Sequence, residues 1–381
     1  MDTPFIYDKY VTGKNFIGRK KECTAMANFL EAGENLVLIS TPKSGTMSAI
    51  QQTLFNMKVS GRQFTTCNLN LLNVRSLEDF LLKFGNAVIR ATATTAAEYS
   101  RIITEHLPGT HFVFDQERFS DCNEAVSLNW EPDENDIFSL MRLPAKIAAA
   151  SGTRIYLVID EFQAVGELKD CNRILRAFKE ILGERNGDGK GCTFIITGSR
   201  YNAMRAIFHH SPLFHGVIDE FQIPEADETE IADYIVKGLL MTGKVLERDA
   251  ALRIAHIFEG KLWYINHFTA ICDSLSKGYI TNGVMMDALN TMVAVHDVRF
   301  RDYISNLTFH QISFLKAMVD GVTRFTSADV IKKYALNSSA NVVRVKEALM
   351  KKELISFTDN DEPFFLDTLF RYWLVNSYFA G

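Results

Sequence analysis

One run of residues constrains this fold more than any other: Arg154-Ile-Tyr-Leu-Val-Ile159, closed by Asp160 and Glu161. Successive side chains on a strand point to opposite faces, so an unbroken apolar run must be covered on both sides. Further strand-like runs lie at residues 36–39, 63–68 and 192–197, with helical stretches such as 47–57 and 77–91 between them. Buried strands alternating with helices predict an α/β domain, a parallel sheet covered by helices. Residues 110–135, rich in Asp, Glu and aromatics, are expected as a hairpin or an excursion from that sheet.

From about Pro224 the pattern turns helical. Residues 226–240 and 247–258 carry apolar side chains at three- and four-residue spacing, and 260–275 continues it. The stretch from Thr308 onward reads as three helices and two short strands. Ser338 stands where it can cap the third helix, and Asp359-Asn360-Asp361 marks a hairpin turn. Three helices and a β-wing describe a winged helix-turn-helix. A chain of 381 residues exceeds what one core organises. The expected division is a sheet domain over 1–222, a helical lid over 223–305 and a winged helix over 306–381.

Composition narrows the function classes. A net charge of −5 gives no whole-protein attraction to nucleic acid or to an anionic membrane, although a local basic face stays open. The six cysteines include no CxxC pair, which argues against a zinc site or disulfide framework and for reduced, mostly buried thiols. Residues 1–14 lack the apolar stretch of a signal peptide, and no run reaches membrane-span length. A cytoplasmic location is expected.

Residues 36–50, LVLISTPKSGTMSAI, place a strand, a loop of small residues and a helix start together. A phosphate-binding loop belongs there. Its standard pattern, GxxxxGK followed by Ser or Thr, combines backbone amides, a lysine on the β and γ oxygens and a hydroxyl on magnesium. Aligning Gly45 with the last glycine puts Thr46 on the lysine and Met47 on the hydroxyl position, with Ser40 on the first glycine. The candidate phosphate-binding residues are therefore Pro42, Lys43, Ser44, Gly45, Thr46, Met47 and Ser48. Lys43 can swing toward phosphate, and Ser48 serves a metal if the register shifts by one. Alone, the loop also admits a strand–helix turn that binds nothing, as the lesser of the two readings.

The Asp160-Glu161 pair strengthens the nucleotide reading. After a fully apolar strand, the aspartate orders magnesium and the glutamate orients the attacking water. Both fall at the carboxyl end of the strand, where open α/β sheets bind ligands. Residues 193–200, TFIITGSR, supply a second polar strand end at Thr197, Gly198 and Ser199, the sensor position beside a γ-phosphate. Arg200 can meet phosphate or pair with an acidic neighbour.

The order of loop, carboxylates and sensor resembles the archaeal-type ATPases, a branch of the AAA+/STAND P-loop NTPases, over nearly the whole chain. The segment FIGRKKE at 16–22 is similar to that family's FxGRxxE box, which implies that Ile17, Gly18 and Arg19 sit beside adenine. Asp160-Glu-Phe-Gln163 resembles its DEFQ, and Phe194-Ile-Ile-Thr-Gly-Ser199 its sensor strand. The segments SPLF at 211–214 and EGKLWYI at 259–265 resemble its post-sensor and lid segments. Residues 325–327 and DTLFRYWL at 367–374 resemble its C-terminal module, with Thr368 where the family carries proline. The resemblance implies ATP or ADP with magnesium as cofactors, and domain rearrangement as output. Asp160, Glu161 and Thr197 would be catalytic.

The departure lies in the loop, where the family's lysine and hydroxyl are lost and the spacing from proline to glycine is one residue short. Losing a charge-assisted phosphate contact costs about 1.5–3 kcal/mol of binding, and more in a transition state where charge develops. A nucleotide switch with weak or absent hydrolysis is expected. The alternatives are a pseudo-ATPase scaffold for a protein partner or self-association, and a winged-helix DNA-binding regulator. For DNA, Arg344 and Lys351 on the third helix are the candidate contacts, but from Thr308 onward nine Lys/Arg face eight Asp/Glu. That balance favours packing over DNA reading. His209, His210 and His215 lack the spacing of a metal site, and Trp263 and Tyr264 read as core.

Overall fold

The computed structural model describes residues 4–184 and 191–380. It divides into two compact units: one formed by residues 20–40 and 53–223, the other by 1–19, 41–52 and 224–381.

The sheet unit opens with α1 (Lys20–Ala32) and β1 (Leu36–Leu38). The loop and α2 (Thr46–Val59) up to residue 52 belong to the other unit; the sheet unit resumes at residue 53 and continues with β2 (Phe64–Asn70), α3 (Leu77–Thr92) and α4 (Ala96–His106). The excursion follows as an antiparallel pair, β3 (Phe112–Val113) and β4 (Ser127–Leu128), with α5 (Gln116–Cys122) between them. Helix α6 (Glu134–Ser151), β5 (Arg154–Asp160), α7 (Cys171–Gly183), β6 (Cys192–Thr197), α8 (Tyr201–Phe208) and β7 (Asp219–Glu220) complete it. Strand order is β2-β5-β6-β1-β7, with every pairing parallel. Because β5 and β6 are buried on both faces, their core is one continuous apolar cluster reaching from Val37 to Phe214.

Parallel registration brings the candidate site's strand ends to one edge. Asn70 pairs with Asp160 and Leu38 with Thr197, so β2, β5, β1 and β6 all end there. Strand β2 runs two residues past the expected 63–68, and its last residue, Asn70, thereby reaches Asp160.

The second unit contains α9 (Glu228–Met241), α10 (Arg248–Ile257), α11 (Leu262–Leu275) and the long α12 (Asn282–Ser305). Next come α13 (Phe309–Val319), α14 (Ala328–Lys333), α15 (Ser339–Lys351), the hairpin β8 (Ile355–Phe357) and β9 (Pro363–Phe365), and α16 (Thr368–Trp373). This is the expected winged helix: Ser338 caps α15 by accepting from the Asn341 amide at 3.2 Å, and Asp361 turns the hairpin at φ 61°. One apolar core runs from Phe5 and Ile17 through α9–α12 to Trp373 and Leu374. No helix of the described residues is long and apolar enough to cross a membrane.

Candidate nucleotide-binding site

The loop candidates lie in the same unit as the N-terminal segment and α9–α16. Lys43 and Gly45 adopt left-handed backbone at φ 66° and 88°, which turns the chain so that α2 starts at Thr46. The Ala49 amide then closes the first turn on the Gly45 carbonyl at 3.1 Å. Such turns aim backbone amides at an anion, and a helix start adds its dipole. At the lysine position, Thr46 is buried with its hydroxyl 3.0 Å from that of Ser44. Ser48, the fallback metal hydroxyl, accepts from the Val11 amide at 3.1 Å. Gln52 one turn on accepts from Gly13 at 2.6 Å, so α2 anchors the N-terminal segment.

That segment walls a cavity of about 230 Å³ with the loop and the start of α11. Tyr7, Tyr10, Ile17, Met47 and Trp263 supply apolar and aromatic surface, and Lys43 a cation. Tyr7 stacks on His267 with ring centroids 4.3 Å apart and meets Trp263 edge-on at 5.8 Å. A mostly apolar cleft with a few polar groups is what a flat heteroaromatic base requires. Trp263 is therefore a half-buried wall residue as well as a core residue, which its helical periodicity could not reveal.

Two charge clusters flank the loop. In the first, Lys43 hydrogen-bonds Tyr264, lies 3.4 Å from Asp367 and sits over the Tyr264 ring at 4.0 Å. Burial pulls its amine down to about 8, against the opposing pull of Asp367. Burial alone would raise the Asp367 carboxyl, but Lys43, the Tyr264 hydroxyl and Arg299 together hold it below its ordinary value. Burial, then Arg299 and Lys43, push His296 down to about 4, so it is neutral. In the second cluster, Glu225 receives Lys261, the Thr41 hydroxyl at 3.4 Å and Arg19 at 3.7 Å. The Arg19 guanidinium is buried against the loop: a Cβ on Gly45 would lie 3.5 Å from its Nη1. Ile17 is core, and Gly18 turns at φ 59° where a side chain would strike Glu230.

In the sheet unit, Asp160 is half-buried at the end of β5 and accepts from the Asn70 amide group at 3.2 Å and the Glu161 amide at 2.9 Å. Burial, then the adjacent Glu161 charge, raises its carboxyl above the ordinary range, and a cation there would relieve both effects. Glu161 itself is held in left-handed backbone at φ 59°, its carboxylate accepting from Gln163 and from the Ser199 hydroxyl at 2.7 Å. The Thr197 hydroxyl instead turns into the sheet and donates to the Leu38 carbonyl at 3.3 Å. The exposed hydroxyl just beyond β6 is that of Ser199, two residues on. Arg200 pairs with Glu167, the acidic-neighbour alternative.

On the winged helix, Arg344 and Lys351 are exposed, but Lys346 pairs with Asp361 and covers the Phe357 ring. His209 bonds Glu220 at 3.0 Å. Among the described residues, one group has metal-ligand geometry: His111, Asp133 and Asp136. Its polar atoms already bond one another as a helix cap, with Asp136 accepting from His111 and from the Asp133 amide, each at 2.8 Å.

Comparison with known proteins agrees with this architecture. Residues 298–376 match the model of a probable winged helix domain. A Walker-type ATPase of Pyrococcus abyssi superposes with TM-score 0.67 at 12% identity, covering 98% of this chain and 99% of that one. The ORC2 protein of Aeropyrum pernix superposes with TM-score 0.59 at 13% identity, covering 99% and 98%. No curated protein sequence matches the chain. The chain has the fold of the archaeal Walker-type and ORC-like AAA+ ATPases, a parallel P-loop sheet followed by helices and a C-terminal winged helix.

Proposed function

We propose that this protein is a STAND-like switch that binds ATP or ADP through its degenerate Walker A loop and hydrolyses it weakly or not at all. The observation that carries the reading is the aromatic cavity built from the N-terminal segment, the loop and α11. In it the base lies against Tyr7, Ile17 and Trp263, and the phosphates meet the amides of residues 44–47. Support for a nucleotide also comes from the Aeropyrum pernix ORC2 structure, which is of ADPNP–ADP complexes.

Asp160 fits magnesium: it is a half-buried carboxylate with raised proton affinity. Within the loop itself, Met47 offers a metal no side-chain oxygen and the Ser48 hydroxyl already accepts from Val11. Magnesium, when bound, would shield phosphate charge. Glu161, aligned by Ser199 and Gln163, would orient water. Thr46 cannot neutralise the transferring phosphoryl group, so turnover suffers more than affinity.

Thermal unfolding of the full chain with ATP, ADP and magnesium tests the reading. A ligand-dependent rise in midpoint is expected; no rise at millimolar nucleotide would sink it.

A further inference from the structure

We infer that Asp367 competes with nucleotide phosphate for Lys43, so that filling of the loop is registered at the N-terminus of α16. The inference rests on the nucleotide reading above.

Lys43 is the loop's own cation, and it is placed for two partners. Its backbone carbonyl accepts from the Trp263 amide at 3.4 Å, fixing the loop against the start of α11. Lys43 also lines the cavity. Its Nζ lies 4.7 and 4.0 Å from the centroids of the Trp263 and Tyr264 rings, where it meets the Tyr264 hydroxyl and Asp367. The side chains of Lys43 and Asp367 are each only 19% exposed, so water screens this pair far less than a surface ion pair.

Asp367 divides its oxygens. Oδ1 caps α16, accepting from Leu369 at 3.0 Å and Phe370 at 3.1 Å, and takes the Tyr264 hydroxyl at 2.5 Å. Oδ2 faces two cations, Lys43 at 3.4 Å and Arg299 at 3.1 Å. One carboxylate charge therefore serves two cations. Arg299 is the nearer, so Asp367 keeps a partner when Lys43 leaves. A nucleotide phosphate carries more charge than a carboxylate and would draw the flexible ammonium away. Removing Lys43 loosens one tie between the loop and α16. By linkage, movement of α16 away from Lys43 must raise nucleotide affinity by the same factor.

The test is ATP affinity, by calorimetry, of the full-length wild type, Asp367→Asn, Lys43→Gln and the double variant. Asparagine keeps an oxygen for the cap and for Tyr264 but removes the charge. Asp367→Asn should bind ATP on the order of tenfold more tightly, the size of one partly buried charge pair. Lys43→Gln should bind more weakly, and adding Asp367→Asn to it should restore nothing. Tyr264→Phe removes one hydroxyl partner from Lys43 and from Asp367 Oδ1 alike but keeps the carboxylate charge, so it should shift affinity by less than Asp367→Asn. Equal affinity in wild type and Asp367→Asn overturns the inference while leaving nucleotide binding intact. A gain from Asp367→Asn that persists without Lys43 also overturns it. No ATP binding by any of the proteins overturns the nucleotide reading and this inference together.

Discussion

Restoring the lost lysine should tighten nucleotide binding by a modest, calculable amount. In Thr46→Lys, a charge-assisted phosphate contact adds about 1.5–3 kcal/mol, and ordering the long lysine side chain on phosphate costs about 1 kcal/mol. Thr46 is only 8% exposed, so the longer side chain must leave a tight site. The Arg19 guanidinium already lies against Gly45, so the new ammonium also meets repulsion. The net gain is then about 0.5–2 kcal/mol, or roughly 2–30-fold in ATP affinity. Adding Met47→Thr supplies the missing metal hydroxyl and should raise phosphate release by a larger factor than affinity, because charge builds in the transition state. Titration calorimetry gives affinity, a phosphate-release assay gives turnover, and thermal unfolding confirms that the variants fold. A folded Thr46→Lys that binds ATP no better than wild type would refute the claim that this position limits the loop.

Three further outcomes follow from the geometry. Any ATP-dependent phosphate release by the wild type should fall at least about a hundredfold in Glu161→Gln, the usual minimum for losing a general base; equal rates would place the release outside this site. Gly198→Ala sets a methyl onto Gln163 and 2.8 Å from the Met204 sulfur, and should cost about 1–3 kcal/mol of stability in urea unfolding. A loss below half a kcal/mol would mean that Gln163 moves freely and does not hold Glu161. The His111–Asp136 pair should stabilise the fold over a bounded pH window. His111 is raised from 6.5 by its hydrogen bond to Asp136, so its contribution is complete below that value and fades as pH climbs past its folded value. Asp136 is lowered from 3.8, the bonds from His111 and the Asp133 amide outweighing burial, so its contribution fades as pH falls through its lowered value. Urea midpoints of wild type and His111→Gln should converge above neutrality; a constant gap from mildly acidic to alkaline pH would contradict the assignment.

What the sequence makes legible is what local pattern dictates. Residues 155–159 are apolar on both faces, so the buried parallel strand and the position of Asp160 follow directly. The winged helix is equally readable, because Ser338 and Asp361 act on neighbours a few residues away. Partners distant in sequence are invisible by contrast. Lys43 meets Asp367 across 324 residues, and nothing around either residue announces the other. Thr197 fits the sensor role by position, yet a side chain bonded to the adjacent strand leaves Ser199 to face Glu161. Trp263 repeats at core spacing but also lines the cavity, since a helix start exposes one edge of an otherwise buried face. Asn70 has a weak signal, a polar residue closing a strand, that becomes meaningful only once β2 is paired with β5.

The central claim is that a loop without its lysine still holds a nucleotide. A crystal of the full chain soaked with ATP and magnesium tests it most directly. The account predicts the base against Tyr7 and Trp263, with phosphates on the amides of residues 44–47. Saturating ATP that leaves this cavity empty, or binds elsewhere, would contradict it.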